Sequence, residues 1–487
     1  MRSRGKSCNF HPLEMKTHPV YLNGQFVQGA NSVEVINPAD GKPFARMSLI
    51  PRTEVCKAIR AAAEAFESWR RLTGKARGEF LGNIADQVDA RREEIARIMT
   101  TENGKPLAQS SGEVGMSIDH LRWFAEEAKR AYGRIIPNWA ENKRNVVIKT
   151  PIGVVGAISP WNFPLMLAVR KVAPALAAGC TVILKPARQT PLSCALFAEC
   201  VHAAGLPAGV FQLVAGSASE IGAEFLENPL CRKITFTGST EVGQKLIAGA
   251  AKRVKPLSLE LGGQAPCLVF EDADFDKAIE GVMMAKFRNT GQSCIAANRI
   301  YVQRSIYEKF LAAFAERVRS LKVGDGLEPS VEIGPLIDQE AIDKALKHIT
   351  DAVQRGSRLI AGGKRVNRPG FFLEPTVLAD VPDNALCSCE ETFAPVAPIL
   401  PFETEAEAIR RANNSDFGLA AYAFTQSLPR AVRVMESLDA GIIGVNDGVP
   451  TATQAPFGGV KMSGWGRELG FEGMDAFLDT KHVSLGI

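Results

Sequence analysis

The chain has 487 residues, a formal net charge of +4, 46% hydrophobic residues and 23% charged residues. That length is too great for one ordinary core and implies two or three domains. The small net charge argues against a nucleic-acid or membrane-surface role, and no run approaches the ~18 uninterrupted apolar residues that read as a membrane span. The ten cysteines are scattered, several in apolar runs, as buried free thiols are. No disulfide framework is expected in so long a chain without a secretory signal. None of the six histidines has HxxxH or HExxH spacing, so no metal site is expected. Cys387-Ser388-Cys389 is half a metal motif with no second half.

From Met1 to Glu14 the sequence is basic and lacks the apolar stretch of a secretory signal. Met15 is a second plausible start. Disorder is expected before about Val20, and the cytoplasm is the expected compartment. Tyr21 to Phe44 reads as short strands and turns, with Asn23-Gly24 and Asp40-Gly41 as turn signals. Val55, Ile59, Ala62, Phe66 and Trp69 then recur at helical spacing, with Thr53 as the expected N-cap. Two further helical stretches span about 76–103 and 110–131. Gly133 to Thr150 is polar and extended, the pattern of an arm or a domain crossing.

Short apolar strands then alternate with helices. Strands are expected at 154–159, 181–184, 210–214 and 234–237, with a helix from about Leu192 to Ala204. A second alternating section starts near Pro266. It has strands at 267–270, 299–303, 396–402 and 442–446, and a helix through Phe275, Ala278, Ile279, Val282 and Met283 capped by Asp272 or Asp274. Continuous short strands alternating with helices mean parallel, doubly wound sheets.

Several residues stand out chemically. Cys294 follows Gly291-Gln292-Ser293, a small polar turn that suits an accessible thiolate. An ordinary thiol pKa of about 8.5 means that catalysis near neutral pH needs help from a helix end or a cation. Glu260, between leucines and before Gly262-Gly263, is expected to have a raised pKa suited to a general base; a solvated charge on an edge strand is the competing reading. Asn162, in Ser159-Pro160-Trp161-Asn162-Phe163-Pro164, sits in a rigid loop after a strand, where a fixed amide serves an oxyanion or simply a turn. Lys185 and Arg188, between strand and helix, suit a ribose or phosphate as well as they suit bare surface charge. Phe236-Thr237-Gly238-Ser239 also joins strand to helix and offers a route for a pyrophosphate to helix N–H groups, though without the GxGxxG pattern.

Taken in order, these segments resemble the NAD(P)-dependent aldehyde dehydrogenase superfamily from about residue 20 to the C-terminus. Glu390-Glu391-Thr392-Phe393 and Pro456-Phe457-Gly458-Gly459 extend the match. The resemblance implies an α/β fold with two doubly wound α/β domains and a small β oligomerisation arm. It places a cofactor-binding domain at 17–132 and 148–260, a catalytic domain at 261–440, and the arm at 133–147 and 475–487. A homodimer or homotetramer follows, because an extended arm in a monomer would leave sheet edges bare.

The resemblance further implies that Cys294 attacks an aldehyde, that the Asn162 amide and the Cys294 N–H take the oxyanion, and that Glu260 activates water to cleave a thioester. Trp161, Asn162, Lys185, Gly238, Ser239, Leu261, Glu391 and Phe393 would face the cofactor, with Lys185 on the adenosine ribose. The subfamily resembled is succinate-semialdehyde dehydrogenase, whose carboxylate-binding arginines match Arg170 and Arg288. Arg288 would equally serve as a cation at the end of the preceding helix. Thr451 is placed to supply the assisting hydroxyl.

Three departures from the pattern carry meaning. Arg188 replaces the glutamate of many NAD-preferring relatives, which favours NADP over NAD. Ala296 replaces the second cysteine that serves some relatives as a redox switch. Ala394 stands where the family usually has glycine. The alternative substrates are glutarate semialdehyde, another ω-carboxy aldehyde, or a neutral aldehyde. A CoA-acylating enzyme would generally lack the base that Glu260 supplies, and a purely structural descendant of the fold would be expected to lose Cys294, Glu260 or Asn162.

Overall fold

The computed structural model describes residues 15–487. Two large sheets and three small ones organise the described residues. In the eight-stranded sheet, Leu257–Glu260, Cys231–Thr237, Val154–Ile158, Thr181–Lys185 and Phe211–Leu213 lie side by side in parallel. Antiparallel strands flank them: Gly464–Trp465 on one side, Val20–Leu22 and then Gln25–Val27 on the other. The seven-stranded sheet runs Arg358–Ala361, Thr376–Ala379, Val396–Phe402, Ala297–Gln303, Ala265–Val269, Ala420–Phe424 and Ile442–Val445, and all its pairings but the first are parallel.

Every residue of Thr181–Lys185 and of Ala265–Val269 is buried. These strands carry helices on both faces and therefore read as continuous rather than alternating apolar runs. In the larger sheet the parallel strands begin with Val154–Ile158, extend through Thr181–Lys185 to Phe211–Leu213, and then return to the other side of Val154–Ile158 with Cys231–Thr237 and Leu257–Glu260. That reversal opens a crevice at the carboxyl ends, between Val154–Ile158 and Cys231–Thr237 in the larger sheet, where doubly wound sheets place their ligands.

Local chemistry sets many boundaries. The Ser239 hydroxyl accepts from Val242 N and starts helix Thr240–Ala251, and Asp274, of the two candidate aspartates, caps Phe275–Phe287 through Lys277 N. Three expectations are corrected. Thr53 lies inside helix Arg52–Trp69, whose N-cap is Pro51, because the proline's fixed extended backbone already turns the chain into the helix. The stretch 76–103 is two helices, Gly74–Ala90 and Arg92–Asn103, broken at Arg91, whose backbone (φ −110°, ψ 17°) leaves the helical region. The disorder expected before Val20 does not extend over Thr17–His18, which pairs in parallel with Arg46–Met47; Met1–Glu14 lie outside the described residues.

Residues Arg134–Ile136 and Lys143–Pro151 form a hairpin, and Leu478–Gly486 adds to it antiparallel along nine residue pairs. Tyr132, Ile135, Trp139 and Ile487 stand more than two-thirds exposed on this arm.

Candidate active site

The loops at the crevice converge on one cleft of about 390 Å3, lined among others by Trp161, Asn162, Gly238, Ser239, Leu261, Cys294, Glu391 and Phe393. A second cavity of about 440 Å3 lies off the end of Thr181–Lys185, against Lys185, Pro186, Ala187 and Arg188. The cleft and cavity together hold every residue expected to face a cofactor.

Cys294 is partly exposed to the cleft. The turn ahead of it is strained: Asn289 and Thr290 both take left-handed backbone, at φ 50° and 56°, a costly state for a β-branched residue. Neighbours hold it there. Asn289 N donates to Gln109 Oε1 at 2.8 Å, Asn289 Nδ2 donates to Asn162 O at 2.8 Å, and Gly334 N donates to Thr290 Oγ1 at 3.0 Å. Gly291 must lack a side chain, because a Cβ would stand 2.3 Å from Ala394 O. A Cβ on Gly263 would meet the Cys294 carbonyl at 2.4 Å, so the Leu-Gly-Gly segment after Glu260 is what allows the two catalytic loops to touch.

Glu260 is 2% exposed, and neither carboxyl oxygen has a hydrogen-bond partner among the described residues. Strand Gly464–Trp465 covers the sheet edge beside it, so the edge-strand reading is set aside. Burial raises its pKa to about 7; the Glu468 charge pushes the same way, against Lys171. The Cys294 thiol is pushed well above its ordinary value by burial and then by the charges of Glu260 and Glu391. Arg170 is the opposing cation and the weaker influence. The help that the thiol was expected to need therefore does not come from a cation in this arrangement; the neighbour suited to take its proton is Glu260.

Asn162 is buried on the loop after Val154–Ile158, and its amide donates to Gln292 O at 3.1 Å, beside the cysteine turn. Trp161 meets Phe393 edge to face, with ring centroids 5.4 Å apart. Phe393 itself has φ 56°, so the departure at Ala394 leaves the left-handed residue one position earlier. Glu391 accepts from Gly263 N at 3.2 Å, and burial raises its pKa to about 7.

Arg170, on helix Pro164–Ala178, is 2% exposed. Its guanidinium lies 4.4 Å from the Phe457 ring centroid and 3.8 Å from Met166 Sδ, and its Nε has no partner. Arg288 lies 5.3 Å from the Phe163 ring centroid and 3.7 Å from Met116 Sδ. Neither makes a salt bridge among the described residues, and burial lowers the pKa of both, with the Arg170 charge adding to that effect at Arg288 against the charge of Glu113. Thr451 Oγ1 is buried without a partner.

The residues fit a dinucleotide. A buried carboxylate (Glu391) lines the cleft, a group suited to sugar hydroxyls, Gly238 and Ser239 sit at the N-terminus of a 12-residue helix suited to a pyrophosphate, and Lys185 is 8% exposed in the second cavity. Arg188 stands exposed at that cavity with no salt-bridge partner among the described residues.

The description "Aldehyde dehydrogenase family" matches residues 26–483. The chain belongs to that family. This aldehyde dehydrogenase is 48% identical to the succinate-semialdehyde dehydrogenase [NADP(+)] of Escherichia coli K12, over 96% of this chain and 97% of that one. It is 47% identical to a glutarate-semialdehyde dehydrogenase of Pseudomonas aeruginosa, over 96% and 97%. The crystal structure of an E. coli NADP-dependent enzyme superposes with a TM-score of 0.96 at 47% identity, covering 97% of this chain and 98% of that one.

Other polar residues around the site gave no sequence signal. Lys171 is buried, donates to Thr237 Oγ1 at 2.6 Å and pairs with Glu468, whose Oε2 is unpartnered. Lys105 and Glu113 form a second buried pair. His120 is fully buried with both ring nitrogens unpartnered, held neutral by burial and then by the charge of Arg170. Each reads in the sequence as an ordinary polar position, Lys105 beside a proline and the others on helices or loops.

Proposed function

We propose that this enzyme oxidises an aldehyde carrying a carboxylate at its far end, succinate semialdehyde in the first place and glutarate semialdehyde as the alternative, to the dicarboxylic acid, with NADP favoured over NAD. The observation that carries the substrate class is the pair Arg170, buried and counted among the charges that act on the Cys294 thiol, and Arg288, partly buried in the segment leading into that cysteine, neither with a salt-bridge partner among the described residues. Buried cations are normally paired, and two guanidinium groups supply the charge-assisted bonds that a small carboxylate takes. Relatives acting on succinate and glutarate semialdehyde, each at 47–48% identity, support the same class and both chain lengths.

The chemistry follows from the geometry. Glu260 accepts the thiol proton, and the Cys294 thiolate adds to the aldehyde carbon. The Asn162 amide, freed from Gln292 O, donates to the new oxyanion. A bound nicotinamide supplies the hydride acceptor that turns this adduct into a thioester. Glu260 releases the thiol proton to solvent and then takes a proton from water as the water oxygen attacks the thioester carbonyl; the C–S bond breaks, Glu260 returns that proton to the leaving Cys294 sulfur, and departure of the acid restores the starting site. The Glu260 carboxyl has no fixed hydrogen bond to give up before either proton transfer, and its pKa of about 7 suits both. Water, not CoA, is therefore the acyl acceptor.

Arg188 supports NADP, since a guanidinium there meets a 2′-phosphate and a glutamate would repel it. The exposed apolar residues of the arm support a homodimer or homotetramer in which that surface is covered. We assign cofactor binding to the larger sheet and the reacting thiol to the smaller one. The direct test is a kinetic panel of three- to six-carbon ω-carboxy aldehydes against neutral aldehydes of equal length, with NAD and NADP. Equal kcat/KM for charged and neutral partners would remove the arginine clamp.

A further inference from the structure

Lys105 and Glu113 lie outside both cavities, yet they grip the loop that carries Asn162. Lys105 Nζ and Glu113 Oε2 are 2.5 Å apart, with side chains 0% and 1% exposed. A buried ion pair is often no more stabilising than apolar side chains of the same volume, so packing alone does not account for it. Its remaining bonds all point one way. Lys105 Nζ donates to the Asn162 carbonyl at 2.6 Å and lies 4.1 Å from the Phe163 ring centroid. Glu113 Oε1 accepts from Leu165 N and Met166 N, both at 3.1 Å. These are first-turn N–H groups of helix Pro164–Ala178, whose own N-cap residue, Phe163, offers no side-chain acceptor. Glu113 thus caps that helix from another element.

The Asn162 carbonyl also accepts from Asn289 Nδ2 at 2.8 Å. The peptide following Asn162 is therefore fixed by an ammonium on one side and by the strained cysteine turn on the other. Fixing that peptide fixes the direction in which the Asn162 side chain leaves the backbone. An oxyanion donor contributes only if its N–H already points at the position where charge develops, which demands such rigidity.

We infer that Lys105 and Glu113 are a positioning pair for the Asn162 amide: an ion pair that never meets the aldehyde and acts on the oxyanion through the backbone of residues 162–166. The inference rests on the reading of Asn162 as the oxyanion donor. It separates the pair from the carboxylate clamp. Loss of the pair slows charged and neutral aldehydes alike, whereas loss of Arg170 or Arg288 discriminates between them.

The test is a mutant cycle on the full-length enzyme with NADP. The variants are Lys105→Met/Glu113→Gln, which removes both charges together so that neither is stranded in the interior, Asn162→Ala, and the combination of all three. The readouts are melting temperature, NADP Kd, KM, and kcat for succinate semialdehyde and for butanal. The expected result for the double variant is NADP Kd within twofold and KM within threefold of the parent, with kcat lowered about 30- to 300-fold on both aldehydes, somewhat less than the roughly 100- to 1000-fold of a removed oxyanion donor because the donor is misdirected and not deleted. Added to Asn162→Ala, the double change should cost less than about threefold more, because both act on one donor. Parental kcat in the double variant, or losses that multiply fully with Asn162→Ala, would overturn the inference. Parental kcat in Asn162→Ala itself would instead overturn the oxyanion assignment on which it rests. If the double variant does not fold, Lys105→Arg, which keeps the charge but moves its donors, is judged by the same criteria.

Discussion

Arg170 and Arg288 come from two different segments, and each rests on an aromatic ring and a methionine sulfur in place of a carboxylate. One comes from the helix after the Asn162 loop, the other from the end of helix Phe275–Phe287. The Arg170 charge is among the causes that lower the Arg288 pKa, after the larger effects of burial, in the same direction, and of Glu113, in the opposite one. In the proposed clamp, a carboxylate at the substrate's far end would offset both charges.

Arg170→Met or Arg288→Met should therefore act on charged substrates selectively. A hydrogen bond to a charged group contributes about 1.5–3 kcal/mol, so each change should lower kcat/KM for succinate semialdehyde about 10- to 150-fold while leaving butanal within about threefold. Steady-state kinetics on both aldehydes checks this; equal losses would make the arginines structural.

Thr451 has a buried hydroxyl without a partner. If it assists the carboxylate, Thr451→Val keeps the shape and removes one neutral hydrogen bond, about 0.5–1.5 kcal/mol. A two- to tenfold rise in KM for the preferred semialdehyde is expected at unchanged kcat. Comparing succinate with glutarate semialdehyde in the same variant shows which chain length reaches the hydroxyl.

Arg188→Glu should exchange a phosphate partner for a repelling charge at the adenosine end, in a cavity remote from the thiol. The ratio of kcat/KM for NADP to that for NAD should fall at least about tenfold, the value of one charge-assisted bond. An unchanged ratio would refute the assignment of Arg188.

The pH dependence follows from Glu260. Its pKa is raised to about 7, chiefly by burial, and a base works only in its deprotonated form. Thioester hydrolysis should rise with pH through about 7 and level off above it. In Glu260→Gln that limb should vanish from the single-turnover deacylation rate, while the pH dependence of cofactor binding stays as it was.

Much of the fold could be read in the sequence where one pattern decided it. Thr181–Lys185 is a strand buried throughout, Val396–Phe402 is buried at every residue but Pro401, and the Asn23-Gly24 turn has the left-handed backbone its composition demands. The helix break at Arg91 left no mark, because arginine is a good helix former and only the packing of the two flanking helices bends the chain there. Cys294 and Asn162, on loops, and Glu260, the last residue of its strand, could be picked out because their neighbours are unusual: glycines, prolines and small polar side chains. The polar pairs behind them could not. Lys171 and Glu468 meet across 297 residues of sequence, and Lys105 meets the Asn162 carbonyl across 57; nothing local tells a buried lysine from a solvated one. The low exposure of Glu260 likewise depends on the distant Gly464–Trp465 strand.

The most direct test of the central claim, that a Cys294 thioester is cleaved by water primed at Glu260, is rapid mixing of Glu260→Gln with NADP and succinate semialdehyde, read by absorbance and by intact mass. One equivalent of reduced cofactor per active site, followed by turnover lowered at least about a hundredfold and a succinyl mass on Cys294, is the predicted result. Full steady-state turnover with no acyl adduct would contradict the account.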